Sequence, residues 1–180
     1  MTGSKFADTT PSYLIYELNN MILGLVSYTY ESGKADGLNT INGIRVPKKN
    51  ENLINSFDGY DYENAMHTLT NAVNEVQDDD VDFLIFIIHW GEEYQILPND
   101  FQKQIADSLT NLGVDLILGS HPHVVQPIES LEGKEKKSLV VYSAGNFISN
   151  QRYESMKKYH TEDGLYLSLE LQKINGQKAQ

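Results

Sequence analysis

The spacing of apolar residues along the chain predicts a mixed succession of strands and helices. The segments 13–18 and 21–29 form a predicted hairpin, because the Asn19-Asn20 dipeptide between them tolerates the positive φ of a tight turn. A helix follows, since apolar residues recur three or four positions apart and so share one face. That predicted stripe consists of Ala65, Leu69, Ala72, Val73 and Val76.

A strand, helix and strand crossover is predicted in the middle of the chain. Phe83 to Ile88 is an unbroken apolar run, typical of a strand buried on both faces of a parallel sheet. The helix begins at Asn99 as N-cap, with Gln102 three residues later, and ends at Gly113. Its predicted apolar face is Phe101, Ile105, Leu109 and Leu112, and a short strand at 116–118 follows. The two strands are therefore expected to be parallel.

The last third of the chain is predicted to contain three more strands. Segments 124–128 and 139–143 form an expected antiparallel pair, closed by a charged turn around Gly133. Segment 164–171 alternates leucine with other residues and predicts a final strand. Residues 174–180 are expected to be a frayed tail.

Residues 30–59 show no sustained helical or strand period and are rich in Gly, Asn, Lys and Pro. A connection of this length is uncommon inside a compact domain. We expect a long loop or lid, placed over the carboxyl end of the strand that it leaves.

Three histidines are expected to meet at one edge of the predicted sheet. His89 follows one parallel strand, while His121 and His123 follow the next. Parallel strands joined by a crossover end at the same sheet edge, and α/β proteins place their sites there. Neutral imidazole is a common ligand for zinc, manganese and iron. The returning strand should bring Asn146 beside the His-Pro-His segment.

Plainer interpretations stay open for each of these residues. His89 could simply close a buried strand, and the His-Pro-His segment could be a rigid turn. Glu92 and Glu93 could orient an imidazole or be exposed loop acids. Asn146 could bind a ligand or belong to a turn. The other two histidines, His67 and His160, have no expected partner.

The composition of the chain excludes or disfavours several classes of function. The chain has 180 residues with a formal net charge of −11, which disfavours nucleic acid as a partner. The absence of cysteine excludes disulfides, a thiol nucleophile and Cys-ligated zinc. No apolar segment is long enough to span a membrane, no signal peptide is evident, and the chain is expected to be soluble. Phosphate-cradling Gly-rich loops and a Gly-x-Ser-x-Gly motif are also absent from the sequence.

Several motifs resemble the bacterial poly-γ-glutamate capsule-synthesis CapA family, and together they cover nearly the whole chain. The main matching runs are Ile-His-Trp-Gly-Glu-Glu-Tyr at 88–94, the segment 113–127 that contains Gly-Ser-His-Pro-His, and Tyr-Ser-Ala-Gly-Asn-Phe at 142–147. Asn-Gly-Ile at 42–44 with Pro47, and Thr-Glu-Asp-Gly at 161–164, also fit the family pattern.

The resemblance implies an α/β, metallophosphoesterase-like layered fold with two packed mixed β-sheets flanked by helices and a dinuclear metal site at the strand ends. His89, His121 and His123 resemble the family's histidine ligands, and Ser120 precedes the His-x-His pair. Divalent manganese, zinc or iron is the implied cofactor, with two ions in a complete site. Glu92, Glu93, Ser120 and Asn146 are the implied supporting or substrate-binding residues.

The resemblance also implies that residues 1–180 form a single CapA-like domain without the family's N-terminal half. A Gly-Asp and an Asn-Asn-His motif belong to that half, so this chain is expected to hold metal weakly or not at all. The implied role is capsule synthesis or export at the extracellular face of the cell membrane. Other membrane capsule-synthesis proteins are the expected partners, and an acidic polymer would bind through bridging cations. A non-catalytic scaffold and a general metal-dependent phosphodiesterase or phosphatase are the alternatives.

Overall fold

A seven-stranded mixed β-sheet organises the molecule. The computed structural model describes residues 4, 5, 7 and 9–173. The strands are β1 (Tyr13–Leu18), β2 (Met21–Glu31), β3 (Lys34–Ala35), β4 (Leu38–Ile41), β5 (Ile44–Arg45), β6 (Ser56–Asp58), β7 (Phe83–His89), β8 (Leu116–Ser120), β9 (Ile128–Glu132) and β10 (Lys137–Val141). The main sheet has the order β1-β2-β7-β8-β10-β9, with β6 paired to β2, and β3, β4 and β5 form a separate small sheet.

Two long helices cover one face of the main sheet. The helices are α1 (Tyr62–Gln77), α2 (Asp100–Asn111) and the short α3 (Tyr153–Met156), with a 3₁₀ helix at Lys48–Leu53. Asp61 caps α1, and Asn99 and Gln102 form a reciprocal capping box on α2. Gly113, at φ 85°, ends α2 in the left-handed conformation that glycine adopts most readily.

The two faces of the sheet differ in how they are covered. The buried stripes of α1 and α2 pack in one large cluster with alternate residues of the central strands, such as Val26, Phe86 and Ile117. The opposite face carries a smaller cluster around Leu23, Phe83 and Leu116, against which residues of segment 165–171 pack. Most of the core therefore lies between the helices and the sheet.

Several sequence predictions are confirmed. The hairpin is β1 and β2, and Asn19 and Asn20 have φ values of 50° and 63°. All five predicted stripe residues of α1 are buried. The crossover is also confirmed, because β7 pairs in parallel with both β2 and β8.

Segment 30–59 is more ordered than the sequence indicated. It contains the small antiparallel sheet β3–β5, the 3₁₀ helix and β6. Strands of two to four residues are too short for a hydrophobic period to develop, so no sequence pattern predicts them. The main-chain amide of Ser32 donates to Thr40 and that of Thr40 donates to Gly33, which fixes the small sheet beside the end of β2.

Three other expectations are corrected. The C-terminal hairpin pairs Ile128–Glu132 with Lys137–Val141, closer to the turn than predicted, while residues 124–127 contribute a single bridge between Val125 and Ala144. Segment 164–171 forms no strand beyond a bridge at Gly164, although Leu167 and Leu171 pack inward. A second large mixed sheet is not seen within residues 9–173. The expected tail, 174–180, lies outside the described residues.

Gly119 allows β8, β10 and Trp90 to approach closely. A Cβ atom at Gly119 would overlap the main-chain oxygen of Tyr142 and lie 2.5 Å from the indole nitrogen of Trp90. That nitrogen donates a hydrogen bond of 2.9 Å to the same oxygen. Close backbone packing therefore requires glycine at position 119, two residues before His121.

We expect Gly119→Ala to lower the free energy of unfolding by about 3 kcal/mol or more, because backbone atoms cannot move aside as a flexible side chain can. Ser120→Ala is the matched control, since its hydroxyl makes one long bond of 3.5 Å to Ile88. The control should cost less than about 1 kcal/mol in chemical denaturation. Equal losses in the two variants would contradict the packing argument.

Candidate metal centre

The parallel register aligns residues of three neighbouring strands across the sheet. Thr29 of β2 is paired with His89 of β7, and His89 is paired with Ser120 of β8. The next residues along the chain, Tyr30, Trp90 and His121, therefore lie close together at this edge of the sheet, where Tyr30 still belongs to β2 and pairs with Phe57 of β6. The predicted meeting of the histidines follows from this register.

His89 lies partly buried between β2 and the His-Pro-His segment. Its Nδ1 atom is 3.1 Å from the hydroxyl of Thr29, and its ring stacks on Tyr30 with centroids 5.7 Å apart. Burial is the largest cause that lowers the pKa of His89 to about 4, and the neighbouring His121 and His123 add to the shift. The imidazole is therefore neutral at neutral pH, as a metal ligand must be.

His121 is the most buried of the three, with 8% of its surface exposed. Its Nε2 atom is 3.0 Å from the hydroxyl of Tyr30, whereas its buried Nδ1 atom has no hydrogen-bond partner within the described residues. Burial lowers the pKa of His121, Glu93 counteracts that shift, and His123 lowers it further. A buried ring nitrogen without a partner is costly, and a bound cation would satisfy it.

The hydrogen bonds of Asn146 determine which tautomer His123 adopts. The amide nitrogen of Asn146 donates to the carbonyl oxygens of His123 and Thr161, at 3.2 and 2.9 Å. The amide oxygen therefore faces Nδ1 of His123, 2.8 Å away. Because that oxygen can only accept, Nδ1 carries the proton and Nε2 keeps its lone pair for a ligand.

Glu93 completes a group of possible metal ligands with two of the histidines. Ligand atoms of Glu93, His121 and His123 all lie within 4.8 Å of one another. The loop that carries Glu93 turns through positive φ at Gly91 (85°) and Tyr94 (65°). The amide of Tyr94 donates to the carbonyl of Pro122 at 2.7 Å, which ties this loop to the His-Pro-His segment.

A buried network of glutamine side chains supports the same loop. Gln102 on α2 accepts from the amide of Asn99 and donates to Gln126 at 3.0 Å. Gln126 in turn donates to the carbonyls of Gln95 and Leu97, at 2.9 and 3.2 Å. Helix α2 thus holds the loop that carries Glu93 against the segment that follows His123.

Two cavities adjoin the histidines. The larger, of about 640 Å³, is lined by Tyr30, Ser32, Asn42, Gly43, Phe57, Gly59, Tyr60, Trp90, Gly91, Glu92, Glu93, Asn99, Phe101 and His121. The smaller, of about 510 Å³, is lined by Thr29, Ile41, Asn42, Ile44, Arg45, Val46, Pro47, Asn50, Ile54 and His89. Segment 30–59 forms walls of both cavities, on either side of Asn42.

The structure brings most of the predicted site residues together. The rings of His89 and His121 are 4.6 Å apart at their centroids, and those of His121 and His123 are 6.2 Å apart. Glu92 lines the larger cavity without joining the ligand group. The hydroxyl of Ser120 is directed to the carbonyl of Ile88, 3.5 Å away.

The two histidines outside the cluster have different surroundings. His67 is exposed on α1, as expected. The expectation for His160 is wrong, because its Nδ1 atom is 2.9 Å from a carboxylate oxygen of Asp163. The two residues are three apart in a loop whose turn brings them together, which residue type alone does not indicate.

Sequence reasoning missed two contributors to the centre, Thr29 and Tyr30. Both lie at the end of β2, and the sequence placed the strand end at Thr29 with Tyr30 as the first loop residue. The available signal was the parallel alignment of β2 with β7, which places the end of β2 opposite His89.

Comparison with known proteins places this chain in a family. The model of the bacterial capsule synthesis protein PGA_cap matches residues 2–151. The chain belongs to this family. The PGA_cap chain is 39% identical over 84 residues to the PGA biosynthesis protein CapA of Bacillus subtilis, covering 44% of this chain and 21% of that protein. It is 32% identical over 102 residues to the capsule biosynthesis protein CapA of Bacillus anthracis, covering 54% of this chain and 24% of that protein.

The PGA_cap chain thus spans about a quarter or less of the length of these curated relatives. Among solved structures, it shows a looser likeness to the sulfate thiohydrolase SoxB of Thermus thermophilus in complex with glycerol. The TM-score is 0.43 at 18% identity, over 76% of this chain and 21% of that one. Within its described residues, the PGA_cap chain has no helix long and apolar enough to cross a membrane.

The low pKa of His89 predicts how stability depends on pH in the metal-free protein. Above pH 6.5 the imidazole is neutral in both the folded and the unfolded state. Between pH 6.5 and about 4 the unfolded chain binds a proton at this position that the folded chain does not. The free energy of unfolding should therefore fall as pH falls through this range.

Urea unfolding at several pH values, in the presence of a chelator, measures this dependence. We expect His89→Asn to lose less stability than the parent between pH 6.5 and 4. Asn74→Ala, at an exposed position of α1 without a titrating group, is the control and should follow the parent. An unchanged slope in His89→Asn would show that other groups cause the acid sensitivity.

Proposed function

We propose that this chain carries a divalent-metal site with metallophosphoesterase-like, hydrolase-type chemistry, within the machinery that makes or exports a poly-γ-glutamate capsule. The observation that carries the proposal is the convergence of Glu93, His121 and His123, whose ligand atoms lie within 4.8 Å of one another. Two imidazoles and a carboxylate suit manganese, zinc and iron. The donor set therefore fits the cofactor that the family resemblance implies.

The buried, unpartnered Nδ1 atom of His121 supports this interpretation independently. Only 8% of His121 is exposed, so water does not readily satisfy the nitrogen. A cation held at this centre would polarise an oxygen of a phosphoryl or acyl group as a Lewis acid. His89 lies beside His121 and is the further ligand in the proposal.

The surrounding residues orient the imidazoles. Asn146 holds the proton of His123 on Nδ1, and Thr29 contacts Nδ1 of His89. Tyr30 keeps its proton at neutral pH, because burial raises its pKa, and it contacts both His89 and His121. These partners limit ring rotation and so preorganise the ligand set before a cation arrives.

The capsule role is proposed from the names of the relatives. The two matched proteins are named for PGA biosynthesis and for capsule biosynthesis. By extension, we propose that the protein acts at the cell envelope, at the outer face of the membrane, with other capsule-synthesis proteins as partners. Glu92, Ser120 and Asn146 line or support the site at which the substrate would bind.

Calorimetric titration with Mn²⁺ and Zn²⁺ tests the metal site directly. We expect saturable binding that weakens at least about tenfold in His121→Ala and in Glu93→Gln, because each variant removes one ligand from the converging group. Glu92→Gln removes the same charge from the adjacent position without removing a member of that group. It should bind the metal within about threefold of the parent.

Circular dichroism of each variant establishes that it is folded before it is titrated. Saturable binding that is equally weakened by Glu92→Gln and Glu93→Gln would indicate attraction by general negative charge. Binding that persists unchanged in His121→Ala would rule out this centre as the metal site.

A scaffold in the same machinery is the second candidate function. The strand β1 favours it, because its outward residues Leu14, Tyr16 and Leu18 are 60%, 52% and 44% exposed, which suits contact with another protein surface. Turnover distinguishes the two candidates. Hydrolysis of a chromogenic phosphodiester that is lost in His121→Ala supports an enzyme, whereas metal binding without turnover supports a scaffold.

A further inference from the structure

The smaller of the two cavities differs in chemistry from the larger one beside it. Its walls come mainly from apolar residues of β4, β5 and the following segment, including Ile41, Ile44 and Val46. Its one fully ionised lining side chain is Arg45, and no carboxylate lines it among the described residues. The larger cavity, in contrast, is lined by both Glu92 and Glu93.

We propose that this smaller cavity is a recognition site for a methylene-rich carboxylate group, with the carboxylate at Arg45 and the methylene carbons against the apolar wall. A γ-linked glutamate chain has this chemistry, because it carries methylene groups in its main chain and a free carboxylate on each residue. The proposal rests on the function proposed above for the substrate class, but it concerns a different cavity and different residues.

Arg45 lies where a ligand carboxylate can replace the carboxylate of Asp36 as its ion-pair partner. The guanidinium is 2.7 Å from a carboxylate oxygen of Asp36, and the two side chains are 60% and 73% exposed. An ion pair in that setting contributes little to stability, so a ligand carboxylate can replace Asp36. Arginine also binds carboxylates through two parallel hydrogen bonds, which a flexible lysine does not offer.

The cavity also leads to the candidate metal centre. His89 and Thr29 are among its lining residues, and the ring centroid of His89 lies 4.6 Å from that of His121. The cavity of about 510 Å³ is larger than a single carboxylate needs. A chain anchored at Arg45 can therefore extend towards the histidines, where the reacting group would lie.

The hairpin turn that bounds the cavity is held in place. Asn42 and Gly43 have φ values of 50° and 72°, as in a tight two-residue turn. The amide of Gly43 donates to the hydroxyl of Ser32 at 2.8 Å. The cavity wall is thus connected to the end of β2, which also carries Thr29 and Tyr30.

Two variants with opposite expected effects test the proposal. The probe is a γ-linked glutamate pentamer, titrated into the protein in a chelator and again with Mn²⁺. Arg45→Gln should bind it about five- to tenfold more weakly, because the cation is lost. Asp36→Asn should bind it about two- to threefold more tightly, because the competing carboxylate is lost while asparagine retains the positive φ of 53° at that position.

Opposite changes in pentamer affinity in the two variants would show that Arg45 recognises the ligand and does not act only through the structure. Both variants break the same ion pair, so an effect through folding would move the affinity in one direction. Tyr60→Ala, at an exposed residue of the larger cavity, should leave pentamer binding in the chelator unchanged. A pentamer with carboxamides in place of the side carboxylates should bind equally to the parent and to Arg45→Gln.

The outcomes also distinguish this proposal from the metal site. Pentamer binding in the chelator, with opposite effects of the two variants, supports the cavity whether or not Mn²⁺ binds. No pentamer binding in either condition, or same-direction effects of Arg45→Gln and Asp36→Asn, overturns the cavity proposal. Such a result would not change the interpretation of the metal titration with the histidine variants.

Discussion

The parallel hydrogen-bond register of β2, β7 and β8 is the constraint on which the rest of the structure depends. It pairs Thr29 with His89 and His89 with Ser120, so β7 and β8 end level with one another, beside Thr29 near the end of β2. Neighbouring strands lie about 4.8 Å apart, a spacing that lets imidazoles from adjacent strand ends approach one ion. A slip of one residue would turn His89 to the other face of the sheet and separate the rings.

That register is enforced mainly by the core under the helices. Alternate residues of each strand face the stripes of α1 and α2, and a slip would expose them to water. Gly119 and Trp90 add a local restraint where β8 approaches β10. The packing that stabilises the domain therefore also sets the distances in the candidate site, so core changes far from the histidines should alter it.

Strong periodicity explains which parts could be predicted from the sequence. The stripe of α1, the capping box of α2 and the buried run of β7 each repeat over many residues, so local signals agree with the fold. The convergence of the histidines followed from the crossover rule. That these residues bind a metal stays a prediction.

What could not be predicted depends on backbone conformations that leave no periodic signal. The small sheet β3–β5 has strands of two to four residues, and β9 of the C-terminal hairpin is exposed at four of its five positions, so it has no buried apolar face. The sequence could not tell Glu93 from Glu92. The turns at Gly91 and Tyr94 make that distinction, through positive φ values and a bond to Pro122.

The histidine segment also holds backbone strain that the surrounding bonds must offset. His121 and His123 have φ values of 107° and 60°, and such conformations cost a non-glycine residue about 1–3 kcal/mol each. Bonds from Trp90 to Ser120, from Tyr94 to Pro122 and between Asn146 and His123 fix the segment on both sides. Strain held in this way is typical of functional sites, because a relaxed turn would direct the rings apart.

The overall charge of the chain restricts how an acidic polymer would bind to it. A net charge of −11 repels an acidic polymer at long range, so favourable contacts must be local. Glu92 and Glu93 add to that repulsion in the larger cavity unless a cation neutralises them, whereas Arg45 provides attraction in the smaller one. The proposed cation binding at Glu93 and the proposed carboxylate binding at Arg45 would each reduce this repulsion, at two different positions. An acidic chain could then lie across the histidines only where one of these positive charges is near, which restricts both its position and its direction.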